Sequence, residues 1–178
     1  MDSVKWKEDM QNFSIYCDLD GVLVDLAGRI SEIYQEDLKN GGFTEKFYKL
    51  MEKLSVTERL DFWTNLNPTS DYMQLWNFIK SFTPTILTSC SGMAIACVGK
   101  KKWCSNHLNV PSRRVICVPR SASKQNHAGK NRILIDDLES NINEWEAAGG
   151  IGILHKNAGE TLAILKKILY TKYDTYDI

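Results

Sequence analysis

Long apolar runs and an excess of charge of either sign are both missing from this sequence. No stretch approaches the roughly 18 apolar residues of a membrane span, and the opening segment MDSVKWKEDMQNF has no apolar signal core. We therefore expect a cytoplasmic protein with no membrane partner. The 22 Lys and Arg residues balance 22 Asp and Glu residues, so no overall field attracts nucleic acid. Small, locally bound substrates are favoured.

Cysteine and histidine patterns that would hold a metal are absent as well. The five cysteines lack CxxC spacing, and the three histidines lack metal-ligand spacing. Because Cys17 and Cys117 lie in apolar, strand-like runs, we interpret the cysteines as reduced, mostly buried thiols. There is no internal repeat or low-complexity segment. A chain of 178 residues with this composition therefore predicts one globular unit.

Five short apolar runs bounded by turn residues predict the buried strands of a parallel sheet. They are residues 13–17, 85–87, 114–118, 132–135 and 150–154. Helical patterns lie between most of them, at residues 94–108, in a stripe of Leu138, Ile142 and Trp145, and in a closing helix with Leu162, Leu165 and Leu169. Strands alternating with helices predict an α/β fold.

The long connection between the first and second strand runs has helical spacing instead of strand patterns. Ser55 and Glu58 in this connection fit a helix capping box. We predict that residues 27–80 form a small helical cap, and that residues 1–26 and 81–178 form the core. Long connections of this kind are often lids, so the cap is expected to lie over the site that the strand ends create.

Polar side chains follow the predicted strands at the edge where ligands of open α/β sheets bind. They are Asp18 and Asp20 after the first strand, Thr88 and Ser89 after the second, Asp136 and Asp137 after the fourth, and Lys124 between the third and fourth. Clustered carboxylates repel one another unless a cation joins them. Mg²⁺ binds carboxylates together with phosphate oxygens, so we expect a magnesium site there.

A calcium-binding loop is the other reading of the DLDG turn, and it fails. An EF-hand counted from Asp18 would need glycine at its sixth position and glutamate at its twelfth. This chain has Leu23 and Arg29 at those positions.

Four segments in order resemble the motifs of the haloacid dehalogenase-like (HAD) superfamily. DLDGVLVD at 18–25 resembles the first, ILTS at 86–89 the second, Lys124 the third, and ILIDD at 133–137 the fourth. The resemblance implies a Rossmannoid parallel sheet in the order 5-4-1-2-3, flanked by helices, with a cap inserted after strand 1. The predicted helical insertion falls at that place.

The resemblance also implies catalytic and phosphate-binding roles for single residues. Asp18 would attack phosphorus and form an aspartyl-phosphate, and Asp20 would protonate the leaving alcohol and later deprotonate water. Because the dehalogenase branch lacks the second aspartate, phosphatase chemistry is preferred. Thr88, with Ser89 as the alternative hydroxyl, and Lys124, with Lys130 as the alternative amine, would bind the phosphoryl oxygens.

The same resemblance implies a Mg²⁺ cofactor held at the ends of the first and fourth strands. Asp18, Asp20 through its backbone carbonyl, and Asp136 would be ligands, and Asp137 would act directly or through a water.

The substrate prediction depends on the small cap and on the segments FW at 62–63, LNPTSDYMQLW at 66–76, ILTS, ILIDD and WEAAGGIGILH at 145–155. Together they resemble the 5′(3′)-deoxyribonucleotidases and their phage-type relatives. This resemblance implies a nucleoside monophosphate substrate, and Phe62 and Trp63 could stack on its base. One alternative is a phosphatase of polynucleotide ends or of another small phosphate ester, for which Lys100, Lys101, Lys102, Arg113 and Arg114 could form a basic patch. The other is a non-catalytic binding protein. A homodimer is left open.

Overall fold

A five-stranded sheet forms the centre of the protein in a computed structural model that describes residues 13–35 and 43–170. The strands are β1 (Ser14–Cys17), β2 (Thr85–Ser89), β3 (Val115–Val118), β4 (Arg132–Asp136) and β5 (Ile151–Leu154). Every neighbouring pair is parallel. The predicted α/β class and all five predicted strands are therefore confirmed, with ends that differ by one or two residues.

The order of the strands across the sheet is β3-β2-β1-β4-β5. This is the predicted order 5-4-1-2-3 read from the opposite edge. β1 is central, since Tyr16 is in register with Thr85 of β2 and with Leu134 of β4. Successive side chains of β4 alternate between the two faces, because Ile133 and Ile135 join one apolar cluster and Leu134 the other. Both faces of the sheet are thus covered, as a parallel sheet requires.

Seven α-helices and three short 3₁₀-helices lie within the described residues. The α-helices are α1 (Leu26–Tyr34), α2 (Phe43–Lys53), α3 (Val56–Thr64), α4 (Tyr72–Ile79), α5 (Ala94–Leu108), α6 (Glu139–Ala147) and α7 (Ala158–Tyr170). The 3₁₀-helices are Lys80–Phe82, Ser112–Arg114 and Ser121–His127. In the described part of the chain, no helix is both long enough and apolar enough to cross a membrane.

The predicted helical insertion after β1 is confirmed, since α1 to α4 all lie between β1 and β2. The predicted capping box begins α3: Ser55 Oγ accepts from the backbone N–H of Glu58, and the Glu58 carboxylate accepts from the backbone N–H of Ser55. Asp25 caps α1 by accepting from the backbone N–H of Gly28 at 2.8 Å.

The insertion packs directly against the rest of the protein. Trp63 of α3 is buried, and a Cβ atom added to Gly99 of α5 would lie 2.3 Å from the Trp63 Cβ. Leu75 and Trp76 of α4 belong to the same apolar cluster as Ile15 of β1. The division into a core and a cap with a boundary near residue 27 and another near residue 80 stays a prediction.

Two of the cysteines are paired, so the expectation of five reduced thiols was wrong. Cys90 and Cys97 form a disulfide with a Cα–Cα distance of 5.6 Å. The spacing of Cys90 and Cys97 in the sequence did not predict this pair, because the turn between β2 and α5 brings the two residues together. Cys17 and Cys104 are buried free thiols, and Cys117 is half-buried.

Candidate active site

The chain leaves β1 through a tight turn that presents two carboxylates. The backbone N–H of Asp18 still donates to Ile135 on β4 at 2.9 Å, so Asp18 continues the sheet ladder by one residue. The carbonyl of Leu19 then accepts from the N–H groups of Leu23 and Val24, both at 2.9 Å. Leu19, Leu23 and Val24 are buried. The apolar residues of DLDGVLVD therefore anchor the turn, and its carboxylates stay at the strand ends.

Lys124 lies between the carboxylates of β1 and β4. Its Nζ is 2.8 Å from Asp18 Oδ2 and 2.6 Å from Asp136 Oδ2. Burial alone would lower the pKa of Lys124, but the charges of Asp18 and Asp136 outweigh it and hold that pKa above its usual value. Lys124 is therefore charged at neutral pH. The alternative amine, Lys130, is exposed.

Asp136, the last residue of β4, is held through both of its carboxylate oxygens. Oδ2 accepts from Lys124, and Oδ1 accepts from the backbone N–H of Leu138 at 3.0 Å and from Asn141 Nδ2 at 2.8 Å. Burial raises the pKa of Asp136, and the charge of Asp18 raises it further. These contacts hold the carboxylate in one orientation at the strand end.

Asp137 lies beside the glycine of the opening turn. Burial, followed by the charges of Asp18 and Asp136, raises the pKa of Asp137 to about 7. A Cβ atom on Gly21 would lie 2.1 Å from Asp137 Oδ2. Gly21 has a φ of +75°, which disfavours a side chain in any case. A side chain at position 21 would therefore have to displace the Asp137 carboxylate from its present position.

The carboxylates at these strand ends fit a divalent cation. Asp18, Asp136 and Asp137 each offer an oxygen, and these three oxygens all lie within 4.8 Å of one another. The raised pKa of Asp136 and of Asp137 reflects both burial and this mutual repulsion. An oxygen-only donor set with surplus negative charge matches the preference of Mg²⁺.

Lys100 connects the end of β2 to Asp20, the second aspartate of the turn. Lys100 Nζ is 2.5 Å from Asp20 Oδ2, 3.1 Å from Thr88 Oγ1 and 2.5 Å from the carbonyl oxygen of Ser89. Thr88 is fully buried, and Ser89 is half-buried. Burial raises the pKa of Asp20, the charge of Lys100 opposes this, and the charge of Asp18 adds to it.

Lys100 was not predicted as a residue of the site, and its assignment to the basic patch considered for polynucleotide ends was wrong. Its side chain is only 1% exposed, so it contributes nothing to a basic surface patch. A signal was available in the sequence. Ala96, Lys100 and Trp103 stand at helical spacing i, i+4 and i+7, and all three are buried on one face of α5.

Asn141 was also missed, although it belongs to a periodic stripe. It is 2% exposed and directs its amide to Asp136, while Ile142 and Trp145 face the sheet. The predicted stripe included Leu138, but this residue is 47% exposed and lies just before α6. The inner face of α6 therefore begins with an amide that binds a carboxylate.

The two aromatic residues considered for base stacking lie in the interior. Phe62 is 8% and Trp63 is 2% exposed, and their rings meet edge to face with centroids 5.3 Å apart. The ammonium group of Lys100 lies 4.9 Å from the centre of the Trp63 ring. Trp63 thus covers the lysine that binds Asp20. Its contact with a substrate base stays a prediction, as does that of Phe62.

Comparison with known proteins found similar solved structures but no matching family. No family model matches the chain, and no curated protein matches it significantly. Among solved structures, a match is found to one described as "Crystal structure of putative beta-phosphoglucomutase from Thermotoga maritima". The identity is 14%, the match covers 88% of this chain and 99% of the other, and the TM-score is 0.46.

Proposed function

We propose that the protein is a Mg²⁺-dependent phosphomonoesterase of the HAD type that works through an aspartyl-phosphate. The observation that supports this most strongly is the meeting of Asp18, Lys124 and Asp136 at the carboxyl edge of the sheet, with Asp137 beside them. Asp18 is more than a hundred positions from Lys124 and Asp136 in the sequence, and their contacts support the roles that the motif resemblance implies.

Asp18 is the nucleophile in this proposal. One of its carboxylate oxygens forms a bond to phosphorus while the bond between phosphorus and the substrate oxygen breaks. Lys124 stays protonated beside Asp18 and offsets the charge of the phosphoryl oxygens. Thr88 Oγ1 accepts from Lys100, which leaves the hydroxyl hydrogen of Thr88 available for a phosphoryl oxygen.

Asp20 is the proton donor and acceptor. It gives a proton to the departing alcohol oxygen in the first step and takes one from water in the second, so inorganic phosphate is released and Asp18 is restored. Asp18, Asp136, the backbone carbonyl of Asp20, and Asp137 would hold Mg²⁺. When bound, the ion would neutralise charge on the phosphoryl group.

The proposed substrate is a nucleoside monophosphate, as in the 5′(3′)-deoxyribonucleotidases. The support is the resemblance of the insertion and of the segments around ILTS and ILIDD. A phosphatase of polynucleotide ends is less well supported, because Lys100 is buried and withdraws one charge from the basic surface that such a substrate would need.

Phosphate release with Mg²⁺ tests the proposal. The panel contains ribo- and deoxyribonucleoside 5′- and 3′-monophosphates, 5′-phosphorylated oligonucleotides, sugar phosphates and p-nitrophenyl phosphate, with Asp18→Asn as the inactive control. We expect the wild-type protein to release phosphate from mononucleotides and Asp18→Asn to release none. Turnover of oligonucleotides or sugar phosphates alone would keep the chemistry and overturn the substrate. No release from any member would favour a binding protein.

A further inference from the structure

Lys100 is a buried charged group that the four motifs do not account for. It lies on α5, outside every segment that resembles the HAD motifs, and its side chain is 1% exposed. An ammonium group in such a place is costly unless each of its N–H groups has an acceptor. Because Lys100 contacts Asp20, the free-energy cost of burying its ammonium group points to a role in the reaction.

The hydrogen-bonding capacity of Lys100 is used up within the protein. An ammonium group has three N–H donors. Lys100 Nζ has three oxygen acceptors within hydrogen-bond distance: Asp20 Oδ2 at 2.5 Å, Ser89 O at 2.5 Å and Thr88 Oγ1 at 3.1 Å. The Trp63 ring closes a further side at 4.9 Å. Lys100 therefore has no donor left for a substrate phosphate.

Asp20 differs from Lys100 in exposure and in its unused hydrogen-bonding capacity. Its side chain is 24% exposed, against 1% for Lys100. Within the described part of the chain, Asp20 Oδ2 accepts from Lys100, whereas Oδ1 is buried and has no hydrogen-bond partner. Lys100 thus holds one carboxylate oxygen, and the hydrogen-bonding capacity of the other is unused.

We propose that Lys100 is a positioning residue that holds Asp20 for proton transfer and connects it to the phosphate-binding end of β2. This rests on the proposed phosphatase function. Because Lys100 binds Asp20, Thr88 and the Ser89 carbonyl through one nitrogen atom, it sets the distance between the proton donor and the hydroxyl that would bind the phosphoryl group. Its effect on catalysis passes through Asp20 and not through contact with the substrate.

Leaving-group dependence tests this directly. A p-nitrophenolate ion departs without a proton, whereas the alcohol of a nucleoside 5′-monophosphate needs one. Rapid mixing isolates the first turnover, in which only leaving-group departure depends on the donor. For Lys100→Met we expect the rate constant of the first turnover to fall about 10²- to 10⁴-fold with the nucleotide, which is the range for acid–base catalysis. With p-nitrophenyl phosphate the same rate constant should fall less than about threefold. The KM should be unchanged for both substrates.

A double-mutant cycle separates action through Asp20 from independent action. Asp20→Asn should show the same leaving-group pattern, and the Lys100→Met/Asp20→Asn double variant should be no slower than Asp20→Asn alone. Lys102→Met, which removes an exposed lysine from the same helix, is the control and should match the wild type. Lys100→Gln keeps an N–H donor toward Asp20, so its first-turnover rate with the nucleotide should lie between those of the wild type and Lys100→Met. If Lys100→Met does not fold, the same comparison is made with Lys100→Gln.

Three results would overturn the inference. Equal losses with both leaving groups would indicate a structural role, additive losses in the cycle would indicate independent action, and a raised KM together with weaker inhibition by inorganic phosphate would indicate direct phosphate binding. A wild-type protein that releases phosphate from neither substrate would instead overturn the proposed function, and this inference with it.

Discussion

Residue 21 illustrates how closely two distant segments approach at the site. Gly21 in the opening turn and Asp137 after β4 leave no room for a methyl group between them, since an added Cβ would lie 2.1 Å from Asp137 Oδ2. The positive φ of Gly21 adds a backbone penalty of roughly 1–2 kcal/mol for any other residue.

We therefore expect Gly21→Ala to displace the Asp137 carboxylate and to raise the Mg²⁺ concentration needed for half-maximal activity about 10-fold or more. Gly149→Ala is the matched control. Gly149 also has a positive φ, of +86°, but nothing lies within 4 Å of its added Cβ. The control should lose stability and keep its Mg²⁺ dependence. Equal Mg²⁺ dependence in both variants would show that Asp137 does not act on the metal.

Asn141 orients the last residue of β4 without being a ligand itself. Its amide donates to Asp136 Oδ1 at 2.8 Å from a position that is 2% exposed. Asn141→Ala should leave that oxygen with one donor fewer and let the carboxylate rotate. We expect a 10- to 100-fold weaker affinity for Mg²⁺, the usual effect of losing such a partner. Isothermal titration with Mg²⁺ measures this.

The control for Asn141 lies two residues further along α6. Asn143 is exposed, so Asn143→Ala changes the same side chain on the same helix without touching Asp136. Its Mg²⁺ affinity should equal that of the wild type. A wild-type affinity in Asn141→Ala would mean that Leu138 N–H and Lys124 are sufficient to hold Asp136.

At the level of elements, the turn from β2 into α5 connects a disulfide to the candidate site. Cys90 follows Ser89, whose carbonyl accepts from Lys100, and Cys97 precedes Lys100 by less than one helical turn. Cys104 lies further along the same helix, and burial raises its thiol pKa to about 12. One helix therefore holds a paired cysteine and a buried free thiol.

Peptide mapping should find the Cys90–Cys97 link in protein alkylated without reduction. At pH 8 a thiol with a pKa near 12 is about one part in 10⁴ thiolate, so iodoacetamide should leave Cys104 unmodified in the native protein and modify it after unfolding. Cys117 is half-buried and should react at an intermediate rate. Recovery of alkylated Cys90 and Cys97 from unreduced protein would show that the pair is not formed.

At the level of the whole molecule, a glycine allows the helical insertion to pack closely against α5. Gly99 lets α5 approach α3 so closely that an added Cβ would lie 2.3 Å from Trp63 Cβ and 3.2 Å from the Trp63 carbonyl carbon. Alanine would gain up to about 1 kcal/mol in helix propensity. Overpacking against backbone costs typically about 1–3 kcal/mol, so the clash should win.

Gly99→Ala should therefore lower the free energy of unfolding measured in urea. Because Trp63 covers Lys100, a displaced Trp63 should also disturb the position of Lys100 in the candidate site. Val98→Ala is the control, since Val98 is 49% exposed on the neighbouring position of α5. It should change the unfolding free energy by less than about 0.5 kcal/mol. A Gly99→Ala protein as stable as the wild type would mean that α3 can shift away at no cost.

The sequence alone determined the sheet and the residues that end its strands. Short apolar runs that alternate with helical patterns favour a parallel sheet covered on both faces, and the carboxyl ends of parallel strands share one edge. Asp18, Thr88 and Asp136 could therefore be predicted to lie at that edge, where the structure has them. Local chemistry similarly determined the Ser55 capping box.

Only the tertiary structure decided which side chains meet. Lys100 and Asn141 look like ordinary polar residues of helices, and they become part of the site because α5 and α6 turn those faces toward Asp20 and Asp136. The Cys90–Cys97 pair and the burial of Trp63 arise in the same way. A one-dimensional pattern specifies which face of a helix is buried, but the partner on the other side depends on how separate elements pack.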